Sequence, residues 1–199
     1  MRPEFINVAF LLLALIGFGC TPELQDTNPP DSGEEAPNSL ITWDDCGGAI
    51  GDHGCDFTLM DQDGEDWNLY SHYDTVMVVD FSTMWCGPCQ SAASEVQAAQ
   101  DAYEDQGFLW ITVLIENVTG EDPSLQDIQS WANTYGIDSA PVLAGGRDMG
   151  LIDTTAENGY PISSWPTLVI LDRDLVIRHG LRGWSHSTII GWIEEVLEE

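Results

Sequence analysis

The sequence predicts an α/β domain, because apolar stretches typical of buried strands alternate along the chain with stretches typical of helices. A strand is predicted over residues 74–81, which contain four consecutive apolar residues from position 76. A helix rich in Ala, Gln and Glu is predicted over residues 90–103, and a second apolar strand over residues 108–115. Without its N-terminal leader and linker the chain keeps about 155 residues, which is enough for one domain with a buried core.

The elements on either side of this central part complete the predicted domain. Residues 57–59 and 67–69 flank an acidic turn that contains a glycine, which predicts a β-hairpin. Four further elements, a helix, two strands and a closing helix, are predicted over residues 124–135, 166–171, 175–179 and 187–197. Residues 140–161 hold several glycines without a clear period, so a long connection is predicted there.

The first 42 residues predict an export signal and a solvated tether. Residues 1–19 carry one positive charge and then an apolar run that is too short to span a bilayer but suits a signal peptide. Gly19-Cys20 resembles the end of a bacterial lipobox, in which the cysteine is lipidated and becomes the first residue of the mature protein. Residues 20–42 are acidic and rich in proline, which predicts a tether, so the folded domain is expected over residues 43–199.

Two alternatives to a lipoprotein signal remain open, an ordinary secretory signal cleaved nearby and an uncleaved apolar anchor. Each of them places the domain outside the cytoplasm.

The composition limits the partners that the chain can bind. It has 34 acidic and five basic residues, a formal net charge of −29. This charge makes nucleic acid and anionic membrane surfaces unsuitable partners. A basic partner is an alternative to a simply solvated acidic surface.

The pentapeptide Trp85-Cys86-Gly87-Pro88-Cys89 lies between the predicted strand and helix. Cys86 therefore falls at or just before a helix N-terminus, where unpaired N–H groups and the helix dipole favour a thiolate. Cys89 follows one helical turn later and is expected to be more buried, poised to attack a mixed disulfide formed by Cys86. Pro88 suits a first helical turn, and Gly87 allows close approach of a partner backbone. The pattern predicts thiol–disulfide exchange.

Metal binding and an inert bridge are the alternatives. Zinc needs four ligands, and the chain has no second CxxC or HxxxH pattern beside this pair. A purely structural disulfide is unusual at so short a spacing, because the tight loop makes it easier to reduce. The acidic turn in residues 61–66 lacks the twelve-residue register of a calcium loop. We therefore expect no metal and no dissociable cofactor.

The pentapeptide resembles the active site of the thioredoxin superfamily. Residues 79–81 look like the family's central strand, with Asp80 as the buried acid six residues ahead of the first cysteine. Residues 165–172 look like its cis-proline segment and the strand that follows. The resemblance implies a thioredoxin fold, a central mixed β-sheet flanked by helices.

Within the superfamily the chain is most similar to the TlpA-like, membrane-anchored thioredoxins. Residues 55–64 look like the N-terminal β-hairpin extension of that group, and residues 124–135 look like its inserted helix. The resemblance covers residues 54–198.

The resemblance also assigns roles to site residues. Pro166 would have a cis peptide bond and lie against the sulfur of Cys86, and the backbone of Trp165 would pair with the extended chain of a substrate. The substrate-binding residues that it implies are Trp85, Gly87, Pro88, Trp165 and Thr167. If Asp80 is buried beneath the disulfide, desolvation raises its pKa and lets it accept the proton of Cys89. The alternative is a carboxylate that caps a turn or faces solvent.

The chain departs from the family in three ways. The helix after the second cysteine has Gln90, Ala92 and Ser94 where relatives often have Arg, Glu and Pro. There is no lysine in the chain, so the lysine that partners the buried acid in ordinary thioredoxins is missing. Trp165 is bulkier than the residue before the cis-proline in many relatives, which narrows the expected range of substrates.

Cys46 and Cys55 remain once the other cysteines are assigned, and in an extracytoplasmic protein they predict a structural disulfide. This bridge would hold the segment around Trp43 against the domain. The alternative is a second redox pair that exchanges with Cys86 and Cys89.

The sequence therefore predicts a thiol–disulfide oxidoreductase on the bacterial cell envelope, held by lipid at Cys20. Its expected partners are protein disulfides or dithiols and a membrane or periplasmic electron donor. The Gly-Pro dipeptide resembles reducing thioredoxins and favours a reductase, whereas the compartment alone favours oxidation. One alternative is a peroxiredoxin-like peroxidase, since Thr83 stands three residues before Cys86. Another is a non-catalytic binding lipoprotein with Trp85 and Trp165 as its docking patch.

Overall fold

The computed structural model describes residues 40–149, 160 and 162–199. Within this part of the chain there are seven strands and three α-helices. Their bounds are β1 Thr58–Asp61, β2 Asp66–Asn68, β3 Val76–Thr83, α1 Gly87–Tyr103, β4 Phe108–Glu116, α2 Leu125–Tyr135, β5 Val142–Ala144, β6 Thr167–Leu171, β7 Ile177–Arg182 and α3 His186–Leu197. The predicted signal peptide over residues 1–19 and the lipidation site at Cys20 lie outside the described residues, as does the tether up to residue 39.

The strands form one mixed sheet in the order β2-β1-β5-β4-β3-β6-β7. The central strand β3 runs parallel to β4 and antiparallel to β6, and β4 runs parallel to β5. The hairpin β1–β2 adds to the far side of β5, and β7 forms the opposite edge. This sheet with its flanking helices confirms the predicted α/β class and the N-terminal hairpin.

Side chains alternate between the two faces of the sheet, and each face buries its own cluster. The helix-side cluster joins Val78 and Trp110 of the sheet to buried residues of all three α-helices. The loop-side cluster joins Val79 and Ile111 to the segments before β1 and before β6, including Tyr160. Among the described residues, the α-helices contribute nothing to the loop-side cluster. The central strands are therefore apolar on both faces, which explains their continuous apolar runs.

The N-terminal segment is fastened to the far end of the chain. His53 forms an isolated antiparallel bridge with Val176, and the backbone of Ile177 exchanges hydrogen bonds with Gly51 and Asp52. The ring of Trp43 stacks on His53 at a centroid distance of 3.9 Å. These contacts cover part of the open edge of β7.

Three sequence predictions differ from the structure in detail. The long connection over residues 140–161 is wrong at its start, because Val142–Ala144 forms the internal strand β5 between β4 and β1. The strand predicted over residues 175–179 begins two residues later, because Leu175 lies in the left-handed region at φ 62° and belongs to the preceding turn. Helix α1 begins at Gly87 rather than at residue 90.

The acidic turn between β1 and β2 uses its first carboxylate internally. One oxygen of Asp61 accepts the backbone N–H groups of Asp63 and Glu65, and Gly64 takes a positive φ of 84°. These bonds are those of a hairpin turn.

In the described part of the chain, no helix combines the length and the apolar character needed to cross a bilayer.

Candidate active site

The junction of β3 and α1 positions the two cysteines of the pentapeptide. Cys86 is the N-cap residue of α1, with extended backbone angles, and its sulfur accepts the backbone N–H of Cys89 at 3.2 Å. The two cysteines form a disulfide with their Cα atoms 5.2 Å apart. In the reduced protein the same N–H group and the helix dipole stabilise a thiolate on Cys86.

The exposure of the pentapeptide agrees with an ordered attack. Cys86 is 6% exposed and Cys89 is fully buried. Gly87 and Pro88 are exposed, and a Cβ added at Gly87 would meet no atom within 4 Å. A partner can therefore approach Cys86 over Gly87, whereas Cys89 is reached only from within the protein.

Asp80 lies on β3, on the face of the sheet that packs against the helices. It is 1% exposed, and it is paired in register with Thr112 of β4 and Leu168 of β6. Leu168 belongs to the helix-side cluster together with both site cysteines, which places Asp80 beneath the same cluster. The carboxylate therefore does not face solvent.

Burial raises the pKa of Asp80 to about 7. The hydroxyl of Ser82 opposes this shift by donating a 2.7 Å hydrogen bond to one carboxylate oxygen. The indole of Trp110 also favours the ionised form, although within the described residues the indole N–H and the second carboxylate oxygen make no hydrogen bond of ordinary geometry. Thr112 stands beside Asp80 on the neighbouring strand, and its hydroxyl has no partner among the described residues. Proton exchange at Asp80 thus occurs near neutral pH, with a serine as its nearest polar neighbour.

The Trp165–Pro166 peptide bond is cis, the isomer that the resemblance implied. The carbonyl of Pro166 accepts the backbone N–H of Gly183 at 2.8 Å, and the next residue, Thr167, pairs in register with Phe81 of β3. The segment therefore lies at the end of the sheet where β3 leads into the pentapeptide. Trp165 is half-buried and packs against both clusters. The hydroxyl of Thr167 donates to the carbonyl of Ser164 at 2.7 Å.

Glu116 is a site residue that the sequence reasoning missed. It is 3% exposed at the end of β4, and its carboxylate accepts the indole N–H of the half-exposed Trp85 at 2.8 Å. The same carboxylate forms an ion pair with Arg147. The buried carboxylate is thus paired with two half-exposed donors, and its bond to the indole fixes the ring of Trp85 at the start of the pentapeptide. An acid at the end of a continuous apolar strand was the available signal.

Cys46 and Cys55 are also bonded, with their Cα atoms 4.9 Å apart and a sequence separation of nine. Cys55 is buried, and its carbonyl accepts the hydroxyl of Tyr160 at 3.1 Å. The bridge closes the loop that precedes β1. We call residues 46–55 the disulfide loop.

Comparisons with known proteins agree with this architecture. The model described as AhpC/TSA family matches residues 50–180. The Thioredoxin-like protein YneN of Bacillus subtilis (strain 168) is 28% identical over 129 residues, which cover 64% of this chain and 68% of that protein. Thiol-disulfide oxidoreductase ResA of Geobacillus thermodenitrificans (strain NG80-2) is 25% identical over 135 residues, 68% of this chain and 70% of that protein.

A solved structure shows the same fold at lower sequence identity. The putative thiol:disulfide interchange protein DsbE from Chlorobium tepidum is similar with a TM-score of 0.61 and 21% identity, over 76% of this chain and 99% of that chain. The shared fold is the thioredoxin fold with its mixed central sheet.

Proposed function

Because the chain belongs to the AhpC/TSA family of thioredoxin-like proteins, we propose that it exchanges disulfides with protein partners through Cys86 and Cys89, outside the cytoplasm. The chain is a thiol–disulfide oxidoreductase by its family and its relatives. The proposal concerns the site, the direction of electron transfer and the compartment. The observation that carries the proposal is the Cys86–Cys89 disulfide at the N-cap of α1, with Cys86 slightly exposed and Cys89 fully buried.

The proposed reaction transfers two electrons from the dithiol to a partner disulfide. The thiolate of Cys86 attacks one partner sulfur, forms a mixed disulfide and releases the other partner sulfur as a thiolate. Cys89 then loses its proton and attacks the sulfur of Cys86, which releases the second partner thiolate. The products are a reduced partner and the Cys86–Cys89 disulfide, which an external dithiol donor must reduce again.

Asp80 is proposed as the base for the second step. It shares the helix-side cluster's face with the buried Cys89, and its pKa near 7 lets it accept a proton at neutral pH. The missing lysine leaves Ser82 as the hydrogen-bond donor to this carboxylate.

We favour reduction of partner disulfides because of the Gly-Pro dipeptide between the cysteines. The location is supported by the second disulfide, Cys46–Cys55, since stable structural bridges are typical of oxidising compartments. The sequence pattern further supports a signal peptide over residues 1–19 and a lipid anchor at Cys20. Pro166, Trp165 and Thr167 supply the proposed backbone contact with the substrate.

The decisive experiment measures the equilibrium of the Cys86–Cys89 pair in a defined redox buffer. A reductase is expected near the thioredoxin value of about −270 mV, whereas a potential near −120 mV would mean a donor of disulfides. In parallel, Cys89→Ser should accumulate a mixed disulfide with a peptide substrate, and Cys86→Ser should not. Absence of a trapped adduct with Cys89→Ser would rule out the proposed order of attack. Fast consumption of peroxide by the parent would favour the peroxidase instead.

A further inference from the structure

A groove of about 350 Å³ runs along the loop-side face of β6 and β7, under the disulfide loop. Its floor is the pair Val169 and Gly180, which face each other in register. One wall is Ile50 of the disulfide loop, which is 70% exposed although it is a large aliphatic side chain. Thr167 and Arg182, also paired in register, form one end.

This end of the groove lies at the proposed active site. Thr167 directly follows the cis-proline Pro166, and the residue after Arg182 donates its backbone N–H to the carbonyl of Pro166. Cys86 belongs to the helix-side cluster and the groove to the other face, so a polypeptide whose cysteine reaches Cys86 enters the groove by crossing this end of the sheet at Pro166. The wall of the groove that contains Ile50 is held in place by two contacts of the disulfide loop. These are the Cys46–Cys55 disulfide and the hydrogen bond that the backbone N–H of Gly51 donates to the carbonyl of Ile177.

Arg182 differs from the other basic residues of the described chain. Arg147 forms an ion pair with Glu116, Arg173 donates to two backbone carbonyl oxygens, and Arg178 pairs with two carboxylates. The exposed guanidinium of Arg182 has no hydrogen bond or ion pair with any described residue. In a chain with 34 acidic residues, a cation at the groove mouth that pairs with no acid in the described part of the chain is available for a carboxylate from outside.

We propose that this groove binds the substrate segment next to the reactive cysteine and selects an acidic residue at Arg182 and an apolar residue over Gly180. The proposal rests on the proposed function, since it concerns the substrate of that same site. An extended chain advances about 3.3 Å per residue and returns to one face every second residue. Because Arg182 and Gly180 are two residues apart on their strand, the selected side chains are two positions apart as well. The acidic one lies nearer the cysteine.

Gly180 makes the apolar part of the groove possible. A Cβ at this position would meet only the carbonyl oxygen of Leu168, at 3.8 Å, so the space above the backbone is open. The φ of Gly180 is not positive, so the backbone there does not require glycine. A β-branched residue is also favourable in a strand. Gly180→Val therefore fills the groove from its floor without straining β7.

The overall charge opposes an acidic partner, so the local contact must be separated from the general field. At physiological ionic strength the Debye length is about 8 Å, which screens most of the distant carboxylates. A comparison of Arg182→Gln with Arg178→Gln cancels the long-range effect of net charge that remains, because both variants lower the positive charge of β7 by one. Arg178 is not part of the groove.

The test uses disulfide-linked peptides that differ only beside the cysteine. Each contains Glu or Gln at the nearer position and Leu or Ala two residues further, in both chain directions. The rate of reduction by the full-length reduced protein is divided by its rate on hydroxyethyl disulfide, which is neutral and too small to occupy the groove.

We expect the Glu-x-Leu peptide in one direction to react faster than Gln-x-Leu by about two- to fivefold, the range of an exposed ion pair. Arg182→Gln should remove the Glu preference and keep the Leu preference. Gly180→Val should remove the Leu preference, and Arg178→Gln should change neither. Thermal unfolding checks that each variant is folded.

The failures of the two proposals are distinguishable. If the parent reduces hydroxyethyl disulfide and all peptides equally, the groove proposal is wrong and the proposed function stands. If Arg182→Gln slows every peptide by the same factor, the groove has no selective role. If the parent reduces none of these disulfides, the proposed function itself is wrong.

Discussion

Replacement of Asp80 by asparagine tests the burial of this carboxylate through the stability of the protein. The folded state raises the pKa of Asp80 from 3.8 to about 7, mainly by burial. Between these values the folded protein holds a proton that the unfolded chain releases. The stability that protonation provides is therefore present at low pH and is lost as the pH rises through the folded-state value.

The magnitude follows from the size of the shift. About three pKa units correspond to about 4 kcal/mol between fully protonated and fully ionised conditions. From pH 5 to pH 8, linkage predicts that ionisation of Asp80 lowers the parent's free energy of unfolding by about 2.5 kcal/mol. Asp80→Asn lacks this loss, so its advantage over the parent grows by the same amount. Any constant effect of the new amide on packing cancels in this comparison.

Urea denaturation at pH 5 and pH 8, with both disulfides intact, measures the difference. The gap between the two midpoints should widen by about 1 M or more at the higher pH. The exposed Asp66→Asn variant removes the same charge elsewhere and reports the general effect of charge repulsion. A gap for Asp80→Asn that is the same at both pH values would falsify the assignment of Asp80 as a buried, proton-binding acid.

Three further perturbations are predicted from the described contacts. Replacing Cys46 and Cys55 by serine lowers the free energy of unfolding by about 2.5 kcal/mol, because the bridge closes a loop with a sequence separation of nine. Denaturation of the oxidised protein measures this loss, and an unchanged midpoint would contradict the prediction. Ser82→Ala removes a donor that lowers the pKa of Asp80, so the pH midpoint of mixed-disulfide resolution moves upward in stopped-flow measurements; a fixed midpoint excludes this role. Glu116→Leu removes the carboxylate that accepts the indole N–H of Trp85 and pairs with Arg147. Because both donors are half-exposed and can turn to water, the loss in unfolding experiments should be about 0.5–1.5 kcal/mol, and the isosteric glutamine should recover part of it.

The sequence was sufficient to predict the strands and helices that have a strong local signal. Strand β3 and strand β4 lie in the centre of the sheet and are buried on both faces, so their apolar runs are continuous. Ser124 is the N-cap residue of helix α2, and its side chain forms a capping box with Asp127. Local patterns of this kind do not depend on the rest of the fold.

The features that failed or were missed depend on distant contacts. Strand β5 has only three residues, and its strand character comes from pairing with β4 and β1 rather than from its own pattern. The pairing of Glu116 with Arg147 joins two segments whose proximity the sequence does not show. The cysteine pair was identified from its spacing, but the groove beside it requires the disulfide loop to lie over β7.

The fastening of residues 51–54 to β7 has a consequence for the order of folding. Synthesis delivers these residues first, yet the strand that they bind is completed only near the end of the chain. Such distant pairing is slow because a long loop must close before the contact forms. Cys46 and Cys55 face no such delay, since the loop between them is short.

The nascent chain can therefore close its local bridge early and then wait for β7. During that interval Tyr160 and the rest of the loop-side cluster lack their cover, and the thiol of Cys86 could mispair with Cys46 or Cys55. Early closure of the short loop removes the thiols of Cys46 and Cys55 before the sheet is complete. Closure of the short loop first would thus keep Cys46 and Cys55 from pairing with Cys86.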